Sequence, residues 1–253
     1  MLAAIALAFL VDAPPPVAAV QPAPLREVVY KCSALRREDL SIETYGGQVA
    51  NPNPGNDPVI FEPQPTAKRR ATLEEGTLTV DVVGIQQDVI KVQVTEQFKD
   101  RPAPLVYSAF VAPNGLVRYD AANPSPIARY LLPLFGTKFA ASAALASGDS
   151  WHVDLKTDAV DVQSIFTIIS QDGALLNLDE LGTVRLNSAQ GMNYNVRGKL
   201  RYKPSLLVPI SGDIDERGNR STMDTTDEAT TTVHFERVSD TLDQTPAPTA
   251  APK

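Results

Sequence analysis

Tyr194-Asn-Val-Arg-Gly-Lys-Leu-Arg-Tyr-Lys203 is the stretch that decides the fold of this chain. Tyr194, Val196, Gly198, Leu200 and Tyr202 alternate with Asn195, Arg197, Lys199, Arg201 and Lys203. A period of two is the pattern of a strand with one face packed and the other in water. The packed face is aromatic and aliphatic, and the wet face carries four positive charges. A strand of this kind needs neighbours with the same alternation, and the chain supplies them on both sides.

Towards the C-terminus, residues 206–214 read as the next strand, residues 216–219 as a turn, and residues 220–223 and 229–238 as the return. Towards the N-terminus, residues 162–169, 174–178 and 183–187 read as meander strands. Gln171-Asp172-Gly173 and Glu180-Leu181-Gly182 supply the turn signals between them. Gly148-Asp149-Ser150 turns the only tryptophan, Trp151, into another strand with Val153 and Leu155 on its face. Leu78, Val80 and Val82, then Ile90, Val92, Val94 and Phe98, read as a hairpin turning at residues 84–88. Residues 105–111 and 116–119 flank Pro113-Asn114-Gly115, and Asn-Gly favours a tight hairpin because both residues tolerate positive φ. Residues 26–35 and 40–45 read as two further strands.

The helical period occurs clearly at residues 125–135. Ser125 suits an N-cap, Pro126 suits the first helical position, and Ile127, Tyr130, Leu131 and Leu134 share one face until Pro133 ends or kinks it. Residues 136–147 are rich in Ala and fit either a second short helix or an extended crossing. About twelve strands without a βαβ rhythm predict a mainly β fold: a large antiparallel meander, a curved half-barrel or barrel, with one or two short helices.

The composition agrees with a globular chain: 253 residues, 43% hydrophobic and 21% charged, are enough to bury a sizeable core. A net charge of −7 argues against nucleic-acid binding, which needs a basic footprint. Leu2 to Val11 is an apolar run too short to span a bilayer and followed by small residues and prolines, as in an export signal. The expected organisation is a signal peptide at 1–19, a spacer at 20–24, one antiparallel β domain at 25–243 with a Pro-rich loop at 50–66, and a disordered tail at 244–253. The location this implies is extracytoplasmic, with no transmembrane span in the mature chain. The single cysteine, Cys32, reads as a structural thiol, because Lys31 before it does not suit a lipidation site.

Chemistry-bearing constellations are few. Ser150, His152 and Asp154 lie on one face of one strand, where side chains run parallel and do not converge as a catalytic triad must. Two distant histidines and one cysteine make no zinc site. Asp213 to Asn219 resembles the start of a calcium loop, but Arg217 stands where an oxygen ligand belongs. No catalytic, cofactor-binding or metal role is therefore assigned to any residue. Arg197, Lys199, Arg201 and Lys203 form a basic face for an anionic partner, or pair with the acidic strands that follow, which contain Asp213, Asp215 and Glu216.

The export-like segment, the long meander, the Gly148-Asp149-Ser150-Trp151 turn and the run Leu206-Leu-Val-Pro-Ile-Ser-Gly-Asp-Ile-Asp-Glu-Arg-Gly218 resemble secreted bacterial β-rich proteins. In outline they are similar to the lipoprotein-carrier and lipid-carrier half-barrels, over residues 70–240. The resemblance implies an antiparallel half-barrel closed by helices, and a lipid or other hydrophobic ligand held between sheet and helix. Trp151, Phe166, Leu131, Leu134, Tyr194, Leu200 and Tyr202 are the expected lining. The competing expectation is a structural or protein-interaction module of the cell envelope, whose sheet is filled by its own side chains.

Overall fold

The computed structural model describes residues 23–42, 66–120, 124–139, 146–156, 160–186, 193–221 and 225–244. The expected signal peptide, most of the spacer, the Pro-rich loop up to residue 65 and the tail beyond Gln244 lie outside these residues. The strands are β1 (Arg26–Ile42), β2 (Thr66–Gln86), β3 (Val89–Phe98), β4 (Leu105–Val111), β5 (Val117–Tyr119), β6 (Ser150–Lys156), β7 (Val160–Asp172), β8 (Leu175–Leu186), β9 (Asn193–Lys203), β10 (Val208–Ser221) and β11 (Thr225–Asp240). They form one antiparallel sheet in the order β5-β4-β3-β2-β1-β11-β10-β9-β8-β7-β6. Every neighbour is a sequence neighbour except at the centre, where the first and last strands pair. The sheet is open, with β5 and β6 at its edges.

The connection from β5 to β6 must therefore travel from one edge of the sheet to the other. It carries α1 (Pro126–Leu131), which runs directly into a 3-10 turn at Leu132–Phe135. Ser125 caps α1 as its sequence predicts: its hydroxyl accepts from the Ala128 N–H at 3.2 Å, and Pro126 opens the first turn. Ile127, Ala128, Leu131, Leu132, Leu134 and Phe135 are all buried against one face of the sheet. We call residues 124–139 the plug.

The plug shows how far the sheet curls. Laid flat, the nine interstrand steps from β4 to β6 would measure about 43 Å. Yet the Lys138 N–H donates to the Pro113 carbonyl, in the turn between β4 and β5, at 2.8 Å. The ring of the next residue, Phe139, lies only 5.4 Å from Trp151 on β6. The two edges are thus drawn together around the plug. Gly136 is required at this closure, because a Cβ there would come within 2.7 Å of both the Gly115 nitrogen and the Pro113 oxygen.

The inner face is set by the predicted alternation: Val28, Tyr30 and Cys32 on β1, Leu78 and Val80 on β2, Leu200 and Tyr202 on β9, Val233 and Phe235 on β11. Several strand boundaries differ from those predicted. Residues 40–42 continue β1, so no separate strand begins at residue 40. Glu180-Leu181-Gly182 is no turn but the middle of β8, and 216–219 is no turn but part of β10, which runs on to Ser221. The calcium-loop resemblance fails for the same reason, since Asp213 to Asn219 is paired strand on both sides. Strand β2 begins at Thr66, well before its apolar alternation.

Candidate functional site

The interior between sheet and plug has an aromatic hub. The Phe139 ring packs edge-on against Phe166 at 4.8 Å, Tyr202 at 5.3 Å and Trp151 at 5.4 Å, and Trp151 stacks on Phe166 at 5.8 Å. Edge-to-face contacts of this kind stabilise by about 0.5–1.5 kcal/mol each beyond the area they bury. Nearer the sheet centre, Tyr30 meets Phe135 at 6.4 Å and Phe235 at 6.0 Å. Six of the seven predicted lining residues fall in this core: Trp151, Phe166 and Tyr202 around Phe139, with Leu200 on the sheet and Leu131 and Leu134 on the plug. The exception, Tyr194, is half-buried on the same face but lies in the electrostatic field of Glu216, Arg36 and Arg129. In this state the protein's own side chains fill the space predicted for a ligand.

Two polar atoms in that filled space have no partner among the described residues. The Tyr202 hydroxyl, on a side chain fully buried, and the Trp151 indole N–H both lack a hydrogen bond. Tyr30, equally buried, donates to the Pro209 carbonyl at 3.0 Å. A buried donor left unpaired costs about 1–3 kcal/mol. Burial also pushes the Tyr202 hydroxyl well above its ordinary pKa, so it stays a neutral donor.

Sequence reasoning missed Phe139, which stands in the ambiguous Ala-rich segment, and the inward-facing Glu96 and Glu180; it expected Glu216 beside the basic row, but that side chain is buried on the inner face, in register with Val196. Glu96 is buried and accepts from the Tyr107 hydroxyl at 2.7 Å and the Ser125 N–H at 3.1 Å, tying the start of the plug to β3. Glu216 is buried too, and after burial itself its charge is what most raises the Tyr130 hydroxyl of the plug above its ordinary pKa. Glu180 accepts from the Ser164 hydroxyl at 2.8 Å, and burial pushes its carboxyl up to about 7. Each sits in phase with the apolar residues of its strand: Glu96 with Val94 and Phe98, Glu180 with Leu176 and Leu178, Glu216 with Gly212 and Ile214. That phase was the available signal. Cys32 is inert as expected, with its thiol pushed by burial up to about 12.

The outer face presents the predicted basic row. Arg197, Lys199 and Arg201 are exposed, and Lys203 is half-buried. The register sets Lys199 between Asp179 and Asp213, and Arg197 between Leu181 and Asp215. Acidic strand neighbours thus stand beside two of the four cations. His152, Ile165, Leu181, Arg197, Asp215 and Arg217 line a groove of about 840 Å³ on this face. Ser150, His152 and Asp154 are exposed in a row along β6, as their spacing predicts. No helix among the described residues is long and apolar enough to cross a membrane. Comparison with known protein families gives no match for this chain, and comparison with curated proteins gives none either.

Proposed function

We propose that this is a non-enzymatic, extracytoplasmic binding protein that takes a lipid or another apolar ligand into the space now filled by the plug. The observation that carries this reading is the plug itself. It contributes a set of buried apolar side chains from a segment that belongs to no strand, so it can leave without breaking a single ladder hydrogen bond of the sheet. Its departure would uncover an apolar hollow with two donors, on Trp151 and Tyr202, already waiting for an acceptor. The apolar run at Leu2 to Val11 supports export, which would bring the protein to where envelope lipids are available.

The test is native mass spectrometry of protein purified from membranes, with a fluorescent acyl probe titrated into the delipidated protein. A co-purifying apolar species and saturable probe uptake that quenches Trp151 are expected. Absence of both overturns the proposal. It would favour the second reading, an envelope interaction module with a filled core. The packed hub and the outer groove beside Ile165 and Leu181, 40% and 59% exposed, support that alternative.

A further inference from the structure

We propose that two copies of this protein associate through the free edge of β6, in antiparallel register centred on Val153. An open sheet has two edges, and here they are unequal. Strand β5 is three residues long, and immediately after it the Asp120 carboxylate caps the Ser108 N–H at 2.7 Å, so that edge offers little to a partner. Strand β6 is seven residues long and, among the described residues, pairs only with β7. Head-to-tail growth of β6 onto β5 is therefore poor, whereas an isologous β6–β6 contact can form and closes on itself.

The direction of the main-chain groups on β6 follows from its first pair. The Asp149 carbonyl accepts from the Ile168 N–H at 2.9 Å, so residue 149 faces β7. Main-chain direction alternates along an antiparallel strand, so Ser150, His152, Asp154 and Lys156 turn their N–H and C=O groups to the free edge. A two-fold axis at Val153 sets His152 opposite Asp154 of the second copy, and Ser150 opposite Lys156. Each of these four pairs can exchange two bonds, giving about eight main-chain hydrogen bonds.

Charge selects the second copy as the occupant. Natural edges are commonly blunted by charges that repel a like strand. On β6 the two charged or polar side chains nearest the axis are instead complementary to their own two-fold images: His152, exposed, meets Asp154, exposed, and Asp154 meets His152. A one-step shift of register would bring His152 opposite residue 153 or 155 and lose both pairs. The dimer would join two curled sheets into one continuous sheet and set the two outer grooves, each lined by His152, side by side.

The test is sedimentation velocity of the full chain over a wide concentration range, with circular dichroism as the check on folding. The wild type is expected to show a reversible monomer–dimer equilibrium. His152→Asp puts two carboxylates opposite each other in both pairs and should weaken the dimer at least roughly tenfold. The double variant H152D/D154H restores complementarity in the reversed sense, and should recover dimerisation. His152→Pro removes an outward N–H without touching the β7 ladder, and should give a folded monomer. A wild type that is monomeric at every concentration overturns the proposal, as does a dimer indifferent to His152→Asp. So does a double variant no better than the single one, or association of the wild type only with an extended peptide from another protein.

Discussion

Graded truncation of the plug measures whether it is a separable element or an integral part of the core. The variants are Phe139→Ala, Phe135→Ala and Leu131→Ala, alone and together. All three side chains are buried, and Phe139 touches three aromatic rings while Phe135 touches one. Buried Phe→Ala costs about 3–5 kcal/mol and Leu→Ala about 2–5. The ring contacts place Phe139 near the top of that range, so roughly 5, 4 and 3 kcal/mol are expected if each loss is felt in full. Their sum, about 12 kcal/mol, matches the whole stability of an ordinary domain, so the triple variant would be unfolded.

A plug that docks reversibly on a folded sheet imposes a ceiling. No plug substitution can then cost more than the docking free energy, because the undocked protein is still folded. Apparent ligand affinity falls in proportion to the open fraction, and at about 4 kcal/mol that fraction is already near 10⁻³. A usable binding protein therefore needs a ceiling of about that size. The expected result in urea is that stability losses level off near 4 kcal/mol and become non-additive. The triple variant keeps its strand signal in far-ultraviolet circular dichroism while Trp151 fluorescence reports an open hub. Its m-value should fall, since less new surface remains to be exposed on unfolding. Lys138→Ala, on the exposed side, should stay within about 0.5 kcal/mol of wild type. Additive losses ending in an unfolded triple variant would refute the idea of a separable plug.

The remaining predictions concern the buried polar groups. Burial raises the Glu180 carboxyl from 4.5 to about 7, so between those pH values the native state holds a proton the unfolded chain has lost. Stability therefore declines as pH rises across that window, by up to about 3 kcal/mol, and Glu180→Gln should remove this slope in melting-temperature profiles; an unchanged slope would rule the assignment out. Tyr202→Phe deletes a hydroxyl without a partner, so stability should hold or rise by about 1 kcal/mol in denaturant titrations of ligand-free protein, and a loss of that size would mean the hydroxyl is paired. Burial would raise the Asp240 carboxyl, but hydrogen bonds from Arg26 at 3.0 and 2.5 Å and from the Leu242 N–H, with Arg237 at 2.9 Å, hold it below the usual range. Asp240→Ala should cost about 3–5 kcal/mol at pH 7 by leaving the Arg26 guanidinium without its carboxylate, while Arg237 keeps its ion pair with Asp243 at 3.0 Å, and the gap from wild type should close only as acid protonates Asp240; a loss under 1 kcal/mol would contradict the network.

Where the inner face is apolar, the sequence was legible. The Tyr194 to Lys203 alternation became β9 within one residue, and Ser125-Pro126 marked the start of α1 correctly. Legibility failed where that face becomes polar. On β2 the inward positions before Gly76 are Arg70, Thr72 and Glu74, and on β1 they continue as Arg36 and Glu38, so the apolar period vanishes although the ladder persists. Gly182 misled for a different reason. It reads as a turn signal, but a Cβ there would lie 2.6 Å from the Ser164 hydroxyl and 2.8 Å from the Gln163 carbonyl, so it permits close approach of β7 and β8. The crossing that brings Phe139 to the hub was illegible because Ala-rich sequence carries no period.

The openness of the sheet and the filling of its interior have one cause. Closing the barrel would require β5 to pair with β6, but β5 has three residues, and the segment from Gly136 to Phe139 passes between the Pro113 turn and Trp151. The connection that plugs the hollow is thus also what separates the edges and leaves the outer side of β6 without a partner strand among the described residues. The two proposals nevertheless act on different groups. Truncating Phe139 or Phe135 changes what fills the interior and leaves the outward main-chain groups of His152 and Asp154 in place. Exchanging His152 and Asp154 changes the edge and leaves the hub intact, because both side chains point away from it. Ligand uptake should follow the first set of variants and dimerisation the second; a plug variant that abolished dimerisation while remaining folded would show that the edge is built by the plug rather than by β6.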